Sequence, residues 1–130
     1  MTAMTSTRGQ NDERRSIERE LRRGSLELIV LHLLAPGEAY GYEIVSKLTA
    51  DTDGALEVTD GTLYPVLYRL ERAGFVAVRW ETPVRGVPRK YYRLTPAGRE
   101  ELDRLTHDWT TFAEAMARLL GRRRHTKEIA

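Results

Sequence analysis

The sequence contains no cysteine, which excludes disulfide-stapled folds, thiolate zinc sites and cysteine nucleophiles. It also lacks a long apolar run. The longest, residues 28–34, is interrupted by His32 and falls far short of the roughly 18 residues that a membrane span needs. The first 24 residues carry four acids and six arginines but no apolar block, so we expect no secretion signal. These absences predict a soluble domain that works in the cytoplasm and has no membrane partner.

Patterns that would indicate an enzyme are also missing. The three histidines, His32, His107 and His125, are far apart in the sequence and match no metal-ligand spacing. We expect His32, which falls within an apolar stretch, to be a core histidine. There is no glycine-rich phosphate loop and no nucleophile elbow, and acidic pairs such as Glu100-Glu101 fit a solvated helix face. We therefore predict no catalytic residue, no metal site and no cofactor.

What the sequence does have is an uneven distribution of charge. The chain has 130 residues and a formal net charge of only +2, a length that suits one compact domain with an appendage. Residues 69–93 hold seven basic and two acidic side chains, whereas residues 26–68 hold seven acids and one lysine. A basic segment inside an acidic core is typical of a polyanion-binding face, and a solvated charged surface has the same composition. Charge alone leaves both interpretations open.

Hydrophobic spacing predicts three short helices. The first follows Ser25, a candidate N-cap, and stops at Pro36-Gly37. The second covers about residues 41–50. The third begins near Thr59, and Gly74 is placed as its C′ residue. Four apolar residues of the third helix share one side, which we expect to be buried: Leu63, Val66, Leu67 and Leu70.

The period then changes from helical to alternating, which indicates a β-hairpin. Residues 76–80 and 90–94 form its strands, and the loop between them contains Pro83, Gly86 and Pro88. Thr95-Pro96 then places a capping side chain before a proline at the first helical position. Apolar residues of the last helix are spaced by 3, 4, 3, 4 and 3 residues: Leu102, Leu105, Trp109, Phe112, Met116 and Leu119.

Three short helices followed by a hairpin are the order of a winged helix-turn-helix. We therefore predict a mainly α fold with a small β-hairpin (α+β) and a long C-terminal dimerisation helix. The apolar seam of that helix is narrow and has nothing left in the chain to cover it, which favours a second copy in a two-fold dimer. Packing of the seam against its own domain is the alternative. The predicted boundaries are a flexible polar arm (1–23), the winged domain (24–94), the dimerisation helix (95–121) and a basic tail (122–130).

The outward side of the third helix is the predicted DNA-reading surface, because the second helix of a helix-turn-helix lies in the major groove. The only amides in the chain are Gln10 and Asn11, so the third helix cannot recognise adenine through a bidentate amide, and its direct readout depends on Arg, Thr, Tyr and DNA shape. The hairpin tip adds cations for phosphates or the minor groove. For Tyr64, simple packing is an equal alternative. The predicted DNA-binding residues are Thr59, Asp60, Gly61, Thr62, Tyr64, Pro65, Tyr68, Arg69, Arg72, Arg85, Arg89 and Lys90.

Four strings of this sequence resemble the PadR family of bacterial transcriptional regulators: RGSLELIVLHLL, YGYEI, DGTLYPVLYRLERAGFV and RKYYRLTPAGRE. The similarity covers about residues 23–120. The resemblance implies a winged helix-turn-helix repressor that dimerises through its C-terminal helix and binds an inverted-repeat operator in double-stranded DNA. A single helix after the hairpin resembles the short subgroup of the family.

Some members of the short subgroup bind flat aromatic compounds between paired tryptophans at the dimer interface. Trp109 matches the position of that tryptophan, and Phe112 and Met116 follow it by one and two turns. The resemblance thus implies a small aromatic effector held by these three residues. The alternative is that Trp109 only packs the dimer seam.

A winged-helix module that binds protein and not DNA is the alternative function. The basic segment 69–93 argues against it, because a protein-binding hairpin has no need of Arg85, Arg89 and Lys90 together. RNA is disfavoured because the outward aromatic residues lie on a helix and not on a stacking sheet.

Overall fold

The computed structural model describes residues 25–129, and the side chains of residues 25–122. The predicted flexible arm, residues 1–23, lies outside the described residues. Within the described part, the elements follow in the order α1 (residues 25–34), β1 (Ala39–Tyr40), α2 (Gly41–Asp51), α3 (Asp60–Arg72), β2 (Val76–Glu81), β3 (Arg89–Leu94) and α4 (Pro96–Ile129). We call β2, β3 and the loop between them, residues 82–88, the wing.

The face of α3 that the spacing predicts to be buried forms the centre of the core. Leu63, Val66, Leu67 and Leu70 are at most 2% exposed, and burying each such side chain contributes roughly 1.5–3 kcal/mol to stability. The helix is continuous through Pro65. The rest of the core comes from α1, α2, the sheet and the first turns of α4.

A glycine turn ends α3 and directs the chain into β2. Gly74 has a φ of +81°, and its N–H donates to the carbonyl of Glu71 at 3.0 Å. The N–H of Phe75 donates to the carbonyl of Leu70 at 2.9 Å. This pair of bonds is a Schellman motif and confirms Gly74 as the C′ residue.

Two predictions for α1 are wrong. Ser25 is already helical and does not cap α1 from outside. His32 is exposed and not part of the core. Helical geometry explains this, because the buried residues of α1 surround the opposite side: Val30, Leu31, Leu33 and Leu34.

The sheet has three antiparallel strands in the order β1-β3-β2, not only the two of the predicted hairpin. In β1, Ala39 pairs with Tyr92 and Tyr40 pairs with Tyr91. A strand of two residues is too short to give a periodic signal, and it forms because β3 offers a free edge. The predicted fold class, mainly α with a small sheet and a long last helix, is confirmed.

The last helix begins where the sequence predicts. Pro96 is its first residue, and the Thr95 hydroxyl accepts the N–H of Gly98 at 3.0 Å while it donates to the carbonyl of Gly74 at 2.6 Å. The predicted end at residue 121 is wrong, because α4 continues to Ile129. No proline follows Gly121, and a single glycine costs a helix only about 1 kcal/mol. None of the helices in residues 25–129 combines the length and apolarity needed to cross a lipid bilayer.

Candidate nucleic-acid interface

The side of α3 opposite the core presents a solvent-facing surface. Its N-terminal turn has no side-chain capping hydrogen bond, so the N–H groups that helix geometry leaves without a helical partner are available to another acceptor. Eight of the predicted residues are exposed here: Thr59, Asp60, Gly61, Thr62, Tyr64, Pro65, Tyr68 and Arg72.

Tyr68 and Arg72 form a pair on this surface. Arg72 Nη1 donates to the Tyr68 hydroxyl at 3.2 Å, and the guanidinium carbon lies 5.7 Å from the centroid of the tyrosine ring. The two residues are one helical turn apart. Because each restrains the other, the guanidinium is held at the outward side of α3, where it can donate to a base edge or a phosphate.

Tyr64 packs within the domain and is also partly exposed. Its side chain is about half exposed, at 48%. Its hydroxyl also lies over Gly41, the first residue of α2, where a Cβ would come within 2.6 Å of it. The tyrosine therefore packs α3 against α2 while it presents part of its ring to solvent.

Arg69 is directed away from the outward surface. Its Nε lies 3.5 Å from the carboxylate of Glu27 on α1, and both side chains are about one-third exposed. The contact joins α3 to α1, and Nε has no hydrogen-bond partner among the described residues. Of the predicted DNA-binding residues on α3, Arg69 is the one whose charge is paired with an acid of the same domain.

The tip of the wing is exposed and carries one arginine between two apolar residues. Arg85 lies between Val84 and Val87, and all three side chains face solvent. Gly86 has a φ of +114°, a conformation that other residues avoid. The loop can therefore turn sharply directly after the arginine.

Arg89 and Lys90 stand next to each other in sequence but point to opposite faces of the sheet. The Arg89 guanidinium lies 4.8 Å from the centroid of the Tyr40 ring, on the outer face. Lys90 points inward, and its Nζ is 3.1 Å from Oε1 of Glu71 on α3. Burial would lower the pKa of Lys90, but the hydrogen bond and the charge of Glu71, together with the contact with Tyr92, outweigh it, and the pKa is raised. The structure thus brings Lys90 to α3 and not to the tip.

Sequence reasoning missed a polar cluster on the outer face of the sheet. Tyr40 and Tyr91 meet edge to face at 5.4 Å, and Arg79 lies 4.7 Å from the centroid of the Tyr91 ring. Arg79 also pairs with Glu38 and Glu81, and its hydrogen bond lowers the pKa of Glu38. Alternation alone places Arg79 on the face opposite Val78, but the tyrosine contact depends on the unpredicted strand β1.

The seam of α4 divides into two parts. Leu102 is 8% exposed and belongs to the core of its own chain, and Leu105 packs against that core. The expectation that nothing in the chain covers the seam is wrong for Leu102, because the first turns of α4 pack against the core of their own domain. Trp109 and Phe112 are about half exposed, with ring centroids 6.0 Å apart, and Met116 and Leu119 follow on the same side.

An open groove begins beside Trp109. It has a volume of about 630 Å³ and is lined mainly by apolar residues of α1 and of the segment before α3, including Leu26, Ile29, Leu56 and Val58. Trp109 therefore faces both the exposed part of the seam and this groove.

Among the described residues, no group of three or more acidic or histidine side chains is placed to bind a metal ion.

Comparisons with known proteins identify the family. The profile of the transcriptional regulator PadR-like family matches residues 30–104. A transcriptional regulator of Mycobacterium tuberculosis is 37% identical over 108 residues, which are 83% of this chain and 94% of that protein. The negative transcriptional regulator PadR of Bacillus subtilis is 32% identical over 84 residues, which are 65% of this chain and 44% of that protein.

A solved structure agrees with these matches. The PadR family transcriptional regulator of Eggerthella lenta is 36% identical and superposes with a TM-score of 0.68, over 86% of this chain and 96% of that one. The family consists of transcriptional regulators and not of enzymes, which confirms that prediction. The chain therefore belongs to the PadR-like family of transcriptional regulators.

Proposed function

We propose that the protein is a transcriptional repressor that binds an inverted-repeat operator as a homodimer in the cytoplasm. The observation that carries this proposal is the outward surface of α3, where the Tyr68–Arg72 pair is exposed beside an uncapped helix N-terminus. Two such helices would enter successive major grooves about 34 Å apart. Arg85 and Arg89 of each wing would contact the flanking phosphates or the minor groove.

The side chains of α3 limit how each half-site is read. No asparagine or glutamine is present on α3 or the wing, so an amide pair to adenine is excluded. Arg72 can recognise guanine, Thr62 can contact either a base or a phosphate, and the remaining discrimination comes from DNA shape. We infer that the fixed spacing of the two half-sites provides much of the specificity.

Arg72→Ala is expected to weaken operator binding at least about tenfold, because it removes a restrained guanidinium from both half-sites. The measurement is fluorescence anisotropy with a duplex that the full-length protein selects from random DNA. Arg118→Ala is the control, because Arg118 is an exposed cation on α4, on the side away from the seam. Equal affinity of the Arg72 variant and the wild type would show that α3 does not dock on DNA.

Salt dependence separates this function from a protein-interaction module. If several Lys and Arg side chains contact phosphates, the logarithm of the binding constant falls steeply and linearly with the logarithm of the salt concentration. An apolar protein interface has no such slope. A flat salt profile with the selected duplex would favour the alternative function.

The exposed part of the α4 seam supports a homodimer. Trp109, Phe112 and Leu119 are more than half exposed in a single chain, and apolar patches of this kind mark interaction surfaces. A second copy offers the same apolar side, so a two-fold arrangement buries both seams together.

We also propose that a flat aromatic effector binds between the two Trp109 side chains of the dimer, in a space lined by Phe112 and Met116. An indole is too large to meet its symmetry copy at a seam without leaving a gap. The effector would alter operator affinity by favouring one angle between the two winged domains, and it must bind the two arrangements unequally to have any effect.

Tryptophan fluorescence tests the effector site. Titration with planar aromatic dyes is expected to quench Trp109 saturably, because a dye stacked on the indole is in direct contact with it. Trp80 is the other tryptophan of the chain, so Trp80→Phe isolates the signal of Trp109 and Trp109→Phe serves as the control. Quenching that does not saturate in the Trp80 variant would exclude the site.

A further inference from the structure

A carboxylate on α3 raises a question for any DNA-binding role. Glu71 precedes Arg72 on the helix that is proposed to meet the phosphate backbone, where a free negative charge would be repelled. It is not free, because its Oε1 lies 3.1 Å from Nζ of Lys90 on β3. The two side chains are 33% and 30% exposed. We call this contact the Glu71–Lys90 bridge.

The surroundings of Lys90 hold its ammonium group in place. Trp80 is paired with Lys90 across the strands, and the ammonium lies 5.9 Å from the centroid of its ring. The ring of Tyr92, which is almost fully buried, is 5.4 Å away on the same face. A carboxylate and two aromatic rings therefore enclose the ammonium, and each of them favours the charged form.

The bridge spans the corner at which the chain turns from α3 into the wing. Along the backbone, this corner consists of Ala73, Gly74 and Phe75, and it includes the positive-φ glycine. A short hairpin is marginally stable by itself, so the angle of the wing depends on contacts beyond the corner. The Glu71–Lys90 bridge connects α3 and β3 directly, over a sequence separation of 19 residues.

We propose that Glu71 and Lys90 are positioning residues, which fix the angle between α3 and the wing, and that Lys90 does not contact phosphate. This assignment rests on the proposed DNA-binding function and replaces the DNA-contacting role that the sequence predicts for Lys90. Its consequence is that α3 and the wing tip meet DNA as one rigid surface, whose geometry is set before binding.

Removing the negative charge of Glu71 distinguishes the two roles by the sign of the effect. If Lys90 were a phosphate contact held back by Glu71, Glu71→Gln would free it, tighten DNA binding and steepen the salt dependence. If the bridge positions the wing, the same substitution loosens the wing and weakens binding. Lys90→Met complements it, because methionine keeps much of the aliphatic stem and removes only the ammonium.

The experiment compares the full-length wild type with Glu71→Gln, Lys90→Met and the double variant, on the duplex selected from random DNA, at several salt concentrations. We expect each single variant to bind about fivefold more weakly, as for a partly exposed ion pair, with an unchanged salt slope. The double variant should bind no more weakly than the singles, because both remove one interaction. Arg85→Met is the control for a residue that binds phosphate, and it should lower the slope by about 0.9 for each phosphate that the arginine neutralises in the wild type.

Tighter DNA binding by Glu71→Gln would overturn the proposal. So would a salt slope of Lys90→Met that is reduced as much as that of Arg85→Met.

Hydrogen exchange in the free protein tests the bridge without DNA. Amides of β2 and β3 should exchange about fivefold faster in both single variants, while those of the buried side of α3 are unchanged. Unchanged exchange in the wing, or equal acceleration throughout the core, would refute a positioning role. If Arg72→Ala and Arg85→Met leave DNA affinity unchanged, the proposed function fails, and the exchange result still decides whether the bridge exists.

Discussion

Replacing Gly98 with alanine is expected to lower the free energy of unfolding by about 3 kcal/mol, at the upper end of overpacking effects. Gly98 is buried in the first turn of α4. A Cβ built on it falls within the contact distance of the Phe75 carbonyl oxygen, 2.8 Å from the carbonyl carbon and 3.2 Å from Cα. Backbone atoms cannot rotate away as the end of a side chain can.

The neighbouring hydrogen bonds prevent an easy adjustment. The N–H of Phe75 donates to Leu70 at the end of α3, and its carbonyl accepts the N–H of Thr95 at 3.1 Å. Moving Phe75 would therefore strain the glycine turn at Gly74 and the cap of α4 together. The clash outweighs the gain of about 1 kcal/mol that alanine normally brings to a helix interior.

Gly121→Ala is the matched control, because it makes the same substitution in the same helix. A Cβ at Gly121 meets no atom within 4 Å, so we expect a gain of roughly 0.5–1 kcal/mol. Urea unfolding followed by far-UV circular dichroism measures both variants, at one protomer concentration because the proposed dimerisation would contribute to stability. A Gly98 variant as stable as the wild type would show that α4 does not approach Phe75 so closely.

Phe112→Glu is expected to give a monomer and to weaken operator binding by more than about a hundredfold. Phe112 lies in the exposed part of the seam, and in the proposed dimer its substitution buries two carboxylates in an apolar interface without partners. A monomer places one α3 at one half-site, so the contacts with the second half-site no longer contribute to the binding free energy. Sedimentation velocity at micromolar concentration and anisotropy with the selected duplex measure the two effects.

Thr110→Glu is the control for that charge. Thr110 is exposed and lies two residues before Phe112, so helical geometry places it about 200° away around α4. We expect this variant to stay dimeric and to bind DNA like the wild type. If the Phe112 variant remained dimeric, the seam would not be the dimer interface. If it also bound the selected duplex as tightly as the wild type does, the proposed arrangement of the dimer on DNA would be wrong.

Local patterns predict most of this fold because they are set by short-range spacing. The buried side of α3, the Gly74 turn and the Thr95-Pro96 start of α4 each depend on residues a few positions apart. β1 escapes such analysis, because it forms only by pairing with a strand about 50 residues later. The exposure of His32 could have been predicted from helical spacing, because the apolar residues around it share the opposite side of α1.

The candidate site shows a different limit. Composition assigns every cation of residues 69–93 to one basic surface, but three of them are paired with acids in the structure. Arg69 pairs with Glu27, Arg79 with Glu38 and Lys90 with Glu71. These partners lie 42, 41 and 19 residues away in the sequence, and no local rule connects them. Arg72 is different, because its partner Tyr68 is one turn away and helical spacing alone brings the two together.

The strand order β1-β3-β2 has a consequence for solubility. β3 is paired on both sides, and β1 has only two residues, so β2 is the sole edge of this sheet long enough to template another chain. Edges of this kind invite intermolecular pairing unless charges discourage it. Arg79 and Glu81 are exposed charged side chains on β2, and charged side chains on an edge strand discourage another strand from pairing there. These charges therefore disfavour aggregation through pairing at the edge of β2 at high protein concentration.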